Sequence, residues 1–429
     1  MRILFYICAV MAATWLFQVN SACFGQNQRT QTPLTIERAV AEAIEHNLPL
    51  LAERTNIQIA NARLLTARLR PNPVVSASGD HLDLLGTGFN EITAAGPAEF
   101  SLRTDFTLER RGKRQARIEW AQKSISVAEL SFLDSLRLTV LAVRNAFVDV
   151  LAARDNLALA RENLKTFEQI VSINEARLKA GDLAEVELAR SRVAATSHAN
   201  AVLRAELELS KAQSSLAALL GRPPGMELGP VEGEIEKRRP ETSLEKLIER
   251  ALDERPDLRA LKMEQAQAAA ETKLQMLEAR PDYSLGTEYR RQQGINGKGN
   301  SLGFFWSASL PVFNRNQGEI ARARLQEKQI EIRRRALELE IRVEVEQAYK
   351  SLDSAQTRLQ TMERDLLAQA RAARDITEYS YRRGEATLVE LLDAQRAFNE
   401  AMQSYNETRA EYARSLYQLE AVCGKAATQ

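Results

Sequence analysis

Cysteine and histidine are almost missing from this chain, with three of each among 429 residues. Cys8, Cys23 and Cys423 lie near the two ends, and such a placement is no disulfide framework. His46, His81 and His198 are far apart in the sequence, at a helix end, in a β-segment and mid-helix respectively, so no spacing here suits a metal centre. There is also no glycine-rich phosphate loop and no nucleophile motif. The expectation is a chain that is not an enzyme and needs no cofactor. Net charge is +1 with 27% charged residues, which lacks the basic excess of a nucleic-acid binder. Past residue 25 no apolar run approaches the roughly 18 residues of a membrane helix.

What is present instead is helix-forming composition. Ala, Leu, Glu, Arg and Gln dominate, and aromatic residues make up 6%. The N-terminus stands apart. Arg2 precedes the apolar run Ile3–Phe17, which reads as the core of a secretory signal peptide within residues 1–25. Cleavage fits after Gly25 or after Ala22. The second site would leave Cys23 as the first residue and a candidate for lipidation, although Asn20 occupies the position where lipoprotein signals carry an aliphatic residue.

The chain repeats its punctuation. Residues 34–221 and 243–424 each open on a short amphipathic run, LTIERAVAEAIEHNLPL and SLEKLIERALDERPDL. Each continues through an Arg-Pro pair (Arg70-Pro71, Arg280-Pro281), a Gly-, Ser- and aromatic-containing block, a very long helical stretch, and a break at Gly beside an acid. Those breaks, Gly181-Asp182 and Gly384-Glu385, read as the tight turns of two helical hairpins, over about 112–221 and 317–423. Residues 222–242 form the connector between repeats.

In the first long helix Leu136, Val143, Val150, Leu157, Leu164, Val171 and Leu178 recur every seven residues. In the second, Ile341, Val345, Ala348, Leu352, Ala355, Leu359, Met362 and Leu366 alternate by fours and threes. Both patterns predict coiled-coil seams, on helices about 100 Å long at 1.5 Å per residue. Four segments, about 73–85, 99–110, 282–291 and 301–312, read as strands. Phe100, Leu102, Phe106 and Leu108 alternate with Ser101, Arg103, Asp105 and Thr107; Tyr283, Leu285 and Tyr289 oppose Ser284, Glu288 and Arg290. Apolar-out, polar-in segments of this length are the signature of a membrane β-barrel. Four strands cannot close a barrel and open edges are not tolerated in lipid, so the reading requires oligomerisation: two chains supply eight strands and three supply twelve. Turn-rich loops are expected at Gly86–Ala98 and Gln292–Asn300.

At this point the chain resembles the TolC family of outer-membrane efflux channels. The resemblance rests on LTIERAVAEAIEHN, LRPNP at Leu69–Pro73, ERRGKRQARI at Glu109–Ile118, LPVFNRNQGEIARA at Leu310–Ala323 and YRRGEATLVELLDAQRA at Tyr381–Ala397. The GKR and LPVFNRNQG blocks look most like the heavy-metal branch typified by CzcC. The resemblance implies a mainly α fold with a membrane β-barrel part, assembled as a homotrimer with a twelve-stranded barrel and an α-helical periplasmic tunnel. It implies a periplasmic adaptor (membrane fusion protein), an inner-membrane pump of the RND type and outer-membrane lipid as partners. The family tip motif, a Tyr just before a Gly with acids on the following helix, falls on Tyr381, Gly384, Glu390 and Asp393. Tyr381, Glu390 and Asp393 are thereby candidates for the periplasmic gate, and Gly181, Asp182, Gly384 and Glu385 for adaptor-contacting tips. Some family members carry a basic residue soon after the Gly, where Ala386 stands here; Arg382 or Arg383 are the nearby substitutes. Drug efflux and type I protein secretion use the same kind of duct and stay open as alternatives. A periplasmic adaptor, the reading of a different class, would have one hairpin rather than two.

Overall fold

The computed structural model describes residues 33–424, apart from 83, 85, 87–97, 111, 227, 234–242 and 295–296. The leader, Cys23, most of the 86–98 loop and part of the connector lie outside the described residues. Each repeat begins with a short helix and an elbow. In the first, α1 (Ile36–His46) meets α2 (Leu48–Arg68), followed by β1 (Val74–Asp80), β2 (Glu99–Leu108), α3 (Lys113–Ala180, 68 residues) and α4 (Glu185–Leu219). In the second, α5 (Leu244–Glu254) meets α6 (Pro256–Glu278), followed by β3 (Tyr283–Gly294), β4 (Gly297–Ala308), α7 (Gln317–Thr361), a π-turn (Met362–Leu366), α8 (Leu367–Arg383) and α9 (Leu388–Val422).

The elbows place the helices end to end. Asn47 caps α2 by accepting from Leu50 N at 3.0 Å, and its amide donates to Leu219 O at the end of α4 at 2.9 Å. One buried side chain thus satisfies orphan groups of two helix termini. Gly221 then turns with φ 73°, and a Cβ there would lie 2.2 Å from His46 O. The second repeat builds the same joint. Gly424 (φ 81°) closes on Glu254 and Arg255, and Arg255 pairs with Asp257 at 2.6 Å and with Glu344. Those two carboxylates hold the Arg255 guanidinium charged despite its burial. Cys423, buried beside this joint, has its thiol pushed up to about 11 by burial, so it stays protonated and unreactive at neutral pH.

The core runs along the long axis in three clusters. One surrounds Val143, Phe147 and Leu151 of α3 with Leu216 and Leu220; one surrounds Ile341, Val345 and Leu352 of α7 with Leu416 and Leu419; the third sits at the hairpin tips. The described part of the connector lies against the first, where Leu228 and Val231 are buried and Arg154 donates to Val231 O at 3.1 Å.

Two seam expectations change. In α3, Val143, Val150 and Leu157 are buried, but Leu164, Val171 and Leu178 are only half-buried. The buried line passes instead through Asn163, Phe167, Ile170 and Asn174. A helix drifts about 20° per heptad against a strict seven-residue repeat, and the facing neighbour moves accordingly. In α7 the buried positions run from Ile341 to Leu359 as expected, but Leu366 is exposed. The π-turn inserts an extra residue there, and each residue rotates the helix by about 100°, so the seam does not continue on the sequence's own spacing.

The four strands form one antiparallel sheet in the order β1-β2-β3-β4. Its register stacks Phe106, Leu285 and Trp306 on one face and Arg103 and Glu288 on the other. The β3–β4 hairpin is longer than expected: the ladder continues to Gly294 and Gly297, so the 292–300 stretch is mostly strand. Alternating Gly and polar residues carry no hydrophobic pattern, which is why pattern alone reads them as loop. No helix among the described residues is long and apolar enough to cross a membrane.

Candidate functional site at the hairpin tips and in the sheet

Both hairpins turn through the same device. At the end of α3, Gly181 (φ 88°) gives its amide to Leu178 O at 3.0 Å and Asp182 to Arg177 O at 2.9 Å. At the end of α8, Gly384 (φ 79°) bonds Tyr381 O at 3.0 Å and Glu385 bonds Ser380 O at 2.9 Å. Left-handed glycine closes each helix by satisfying its last carbonyls. Gly181, Asp182, Gly384 and Glu385 are all exposed.

The structure separates the three gate candidates. Tyr381 is buried, 2% exposed, in a cluster with Phe167, Ile170, Leu388 and Leu391. Its hydroxyl donates to Asn174 Oδ1 at 2.7 Å, and the Arg177 guanidinium lies 5.8 Å from its ring centroid. Burial pushes the phenol above its ordinary pKa, so it remains a donor at any physiological pH. Glu390 instead closes a capping box. Its Oε2 accepts from Thr387 N at 2.7 Å and Thr387 Oγ1 at 2.9 Å, while Glu390 N donates to Thr387 Oγ1 at 3.3 Å. Those hydrogen bonds hold its carboxyl below the usual range. Asp393 is exposed on the same helix, which turns Leu388, Leu391, Gln395 and Phe398 into the seam and leaves both acids on its outer side. Of the substitutes for a basic gating residue, Arg382 pairs with Glu378 and Arg383 stacks 4.5 Å over Tyr379, both within α8.

The pattern-based reading missed the polar ladder that joins the two hairpins. Asn163 accepts from Gln395 Nε2 at 2.9 Å, and Asn156 accepts from Asn406 Nδ2 at 2.8 Å, in addition to the Asn174–Tyr381 pair. The available signal was asparagine within a heptad seam, a residue type that fixes register at some cost in stability. His198 is half-buried and stacked on Phe167 with centroids 4.3 Å apart, and burial lowers its pKa, so it is a packing residue. His81 follows β1 with φ 56°. Among the described residues no three His, Cys, Asp or Glu side chains group to hold a metal.

In the sheet, the outward face exposes Leu102, Phe106, Leu285, Tyr289, Leu302, Phe304 and Trp306. The opposite face carries Asp80, Glu99, Asp105 and Glu288 against Arg103 and Arg290. Arg103 pairs with Asp105 at 2.8 Å, and Arg290 pairs with Glu288 at 2.8 Å. Among the described residues that face thus holds four carboxylates and two guanidinium groups.

The profile of the outer membrane efflux protein family matches residues 39–222 and 247–425, one match per repeat. A cobalt-zinc-cadmium resistance protein, CzcC of Cupriavidus metallidurans, is 24% identical over 374 residues, covering 87% of this chain and 86% of the relative. The pyoverdine export outer membrane protein OpmQ of Pseudomonas aeruginosa is 26% identical over 87% of this chain and 77% of the relative. In fold the chain is similar to the CmeC outer membrane channel of Campylobacter jejuni, with a TM-score of 0.76 at 16% identity, covering 91% of this chain and 86% of the other. An open-edged sheet with an apolar outer face, set on long helical hairpins and matched in both halves by one family profile, identifies the chain as a member of the outer membrane efflux protein family, an outer-membrane channel of a tripartite efflux system and not an enzyme.

Proposed function

We propose that this channel is the exit duct for divalent heavy-metal cations, working as a homotrimer with a periplasmic adaptor and an RND-type inner-membrane pump. The observation that carries the cation reading is the excess of carboxylates over guanidinium groups on the inner face of the sheet. Three copies around one lumen multiply that excess, and a pore lined with unbalanced carboxylates favours cations. The likeness to a cobalt-zinc-cadmium resistance protein supports the same cargo.

Trimerisation is supported by what a single protomer leaves open. β1 and β4 are free edges, and α4 exposes Val186, Val193, Leu203 and Leu207 while α7 exposes Leu325, Ile332 and Leu339. Leu325, Ile332 and Leu339 are spaced by seven, as a coiled-coil seam awaiting a partner helix. In this reading Glu390 and Asp393 ring the periplasmic gate, Tyr381 anchors the gating hairpin from behind, and the tips at Gly181, Asp182, Gly384 and Glu385 meet the adaptor.

A growth panel tests the cargo. A deletion strain, with and without a complementing copy, is challenged with zinc, cobalt, cadmium, nickel, copper and silver, and separately with dyes, detergents and antibiotics. Selective metal sensitivity is expected. Sensitivity confined to organic compounds overturns the metal cargo in favour of small-molecule export, the second reading, which the likeness to a pyoverdine exporter supports.

A further inference from the structure

Where the barrel meets the tunnel, the chain places arginines that the transport duct does not use. Arg70 precedes β1, Arg110 follows β2 and Arg114 lies in the first turn of α3. All three are exposed, and all three line one groove of about 310 Å³ with Leu108, Gly112 and Gln115. Among the described residues none of the three guanidinium groups has a carboxylate within ion-pairing distance. Glu109 in the same wall is engaged by Arg117 instead. This contrasts with Arg222 and Arg255, which lie just past the ends of α4 and α5 and pair with Glu42 and with Asp257 and Glu344. Gly112, at φ 105°, begins α3 at the groove, so the positive end of a 68-residue helix adds to the field.

The groove also has a hydrophobic side. Leu108, 47% exposed, is the last residue of the outward apolar row of β2, directly beyond Phe106. Leu69, next to Arg70, is exposed as well, and across the sheet after β4 Leu310 and Phe313 are exposed in a separate groove at the same end. An anionic headgroup site that opens onto a lipid-facing strand fits one kind of molecule: its phosphate against the arginines, its acyl chains along Leu108 and Phe106.

We propose that the Arg70–Arg110–Arg114 groove binds the phosphate of an anionic phospholipid in the periplasmic leaflet of the outer membrane. The junction of sheet and helices is the periplasmic rim of the barrel, which selects that leaflet. The proposal rests on the outer-membrane placement of the sheet and is independent of the cargo. Each arginine near a membrane phosphate contributes about fivefold in affinity.

The test uses the assembled full-length protein in nanodiscs of equimolar phosphatidylethanolamine and phosphatidylglycerol, extracted into mild detergent and weighed by native mass spectrometry. Phosphatidylglycerol is expected to be retained in excess over the supplied ratio. The enrichment falls to the supplied ratio in R70Q/R110Q/R114Q and persists in R190Q/R204Q/R371Q, which removes the same charge from the helical hairpins. The single variants R70Q and R110Q, each lowering enrichment about fivefold, carry the test if the triple variant does not assemble. Equal retention of both lipids by the unsubstituted protein overturns the proposal, as does undiminished enrichment in the arginine variants. Complete displacement of phosphatidylglycerol by millimolar inorganic phosphate also overturns it, since the site would then belong to a free anion. Failure of the unsubstituted protein to enter nanodiscs would strike the membrane placement itself, separately from the lipid site.

Discussion

The hydroxyl of Tyr381 donates to Asn174 Oδ1 at 2.7 Å, tying the end of α8 in the second repeat to α3 in the first. Both residues are buried, and they are 207 positions apart in the chain. Tyr381 therefore links the two hairpins close to their tips, where the proposed gate lies.

Replacing Tyr381 with Phe removes that donor and leaves a fully buried amide oxygen unpaired, at a cost of about 1–2 kcal/mol. Because the loss falls on the joint between hairpins, the expected result is a channel that opens more readily. Single-channel recordings in planar bilayers check this. Unchanged open probability in Tyr381→Phe would remove Tyr381 from the gate.

The glycines divide into two kinds. At Gly181 an added Cβ meets nothing within 4 Å, so Gly181→Ala carries only the left-handed backbone cost of about 1–2 kcal/mol. At Gly221 the same change would place Cβ 2.2 Å from His46 O and 2.8 Å from His46 C, both backbone atoms. Gly221→Ala is expected to abolish assembled channel in outer-membrane fractions, while Gly181→Ala leaves its amount near normal. Equal yields of the two would contradict the end-to-end joint described for α4 and α2.

The Glu390 carboxyl is held below its ordinary pKa by Thr387. Its contribution to the start of α9 is therefore fully present above the unfolded-state value and is lost as pH falls through the lowered one. Amide exchange across Thr387–Leu391, corrected for intrinsic rates, is expected to accelerate on acidification below that range. In Glu390→Gln, whose amide oxygen still caps but does not titrate, the acceleration should vanish. A variant with the same acid response would show that another group is being read.

Lys113 is buried at the foot of the barrel, 2.9 Å from Asp282 and 3.4 Å from Glu278. The two carboxylates are about a third exposed, so solvent relieves part of their loss. Lys113→Met is expected to cost about 1–3 kcal/mol, less than the 3–5 of a fully buried pair, read as a lower thermal midpoint for the sheet. A midpoint unmoved from that of the unsubstituted protein would place the joint's stability elsewhere.

Periodicity alone carried the helices and most of the strands. Leu136 to Leu157 and Ile341 to Leu359 announce their seams because a helix buries one stripe and leaves the rest wet. Phe100 to Leu108 announces its outward face because lipid tolerates only apolar side chains there. The turns at Gly181 and Gly384 were visible because a left-handed cap calls for glycine. The site was less legible. Glu390 and Asp393 could be placed three apart on one helix; Thr387, three residues before Glu390, carried a capping-box pattern that the hydrophobic periodicity does not register, and the Thr387 geometry assigns Glu390 to its cap.

What the sequence determined by itself is everything written in short-range spacing: two repeats, long amphipathic helices, alternating strands and the glycine turns between them. What only tertiary structure decided is where the seams shift and which polar residues meet. The π-turn at Met362–Leu366 shifts a seam within the second repeat, and the α3 seam drifts onto Asn163 and Asn174, whose pairs with Gln395 and Tyr381 join residues from opposite repeats. The physical reason is that a buried hydrogen bond is satisfied in space, between partners up to hundreds of positions apart, while hydrophobic periodicity reports only on the residues of its own helix.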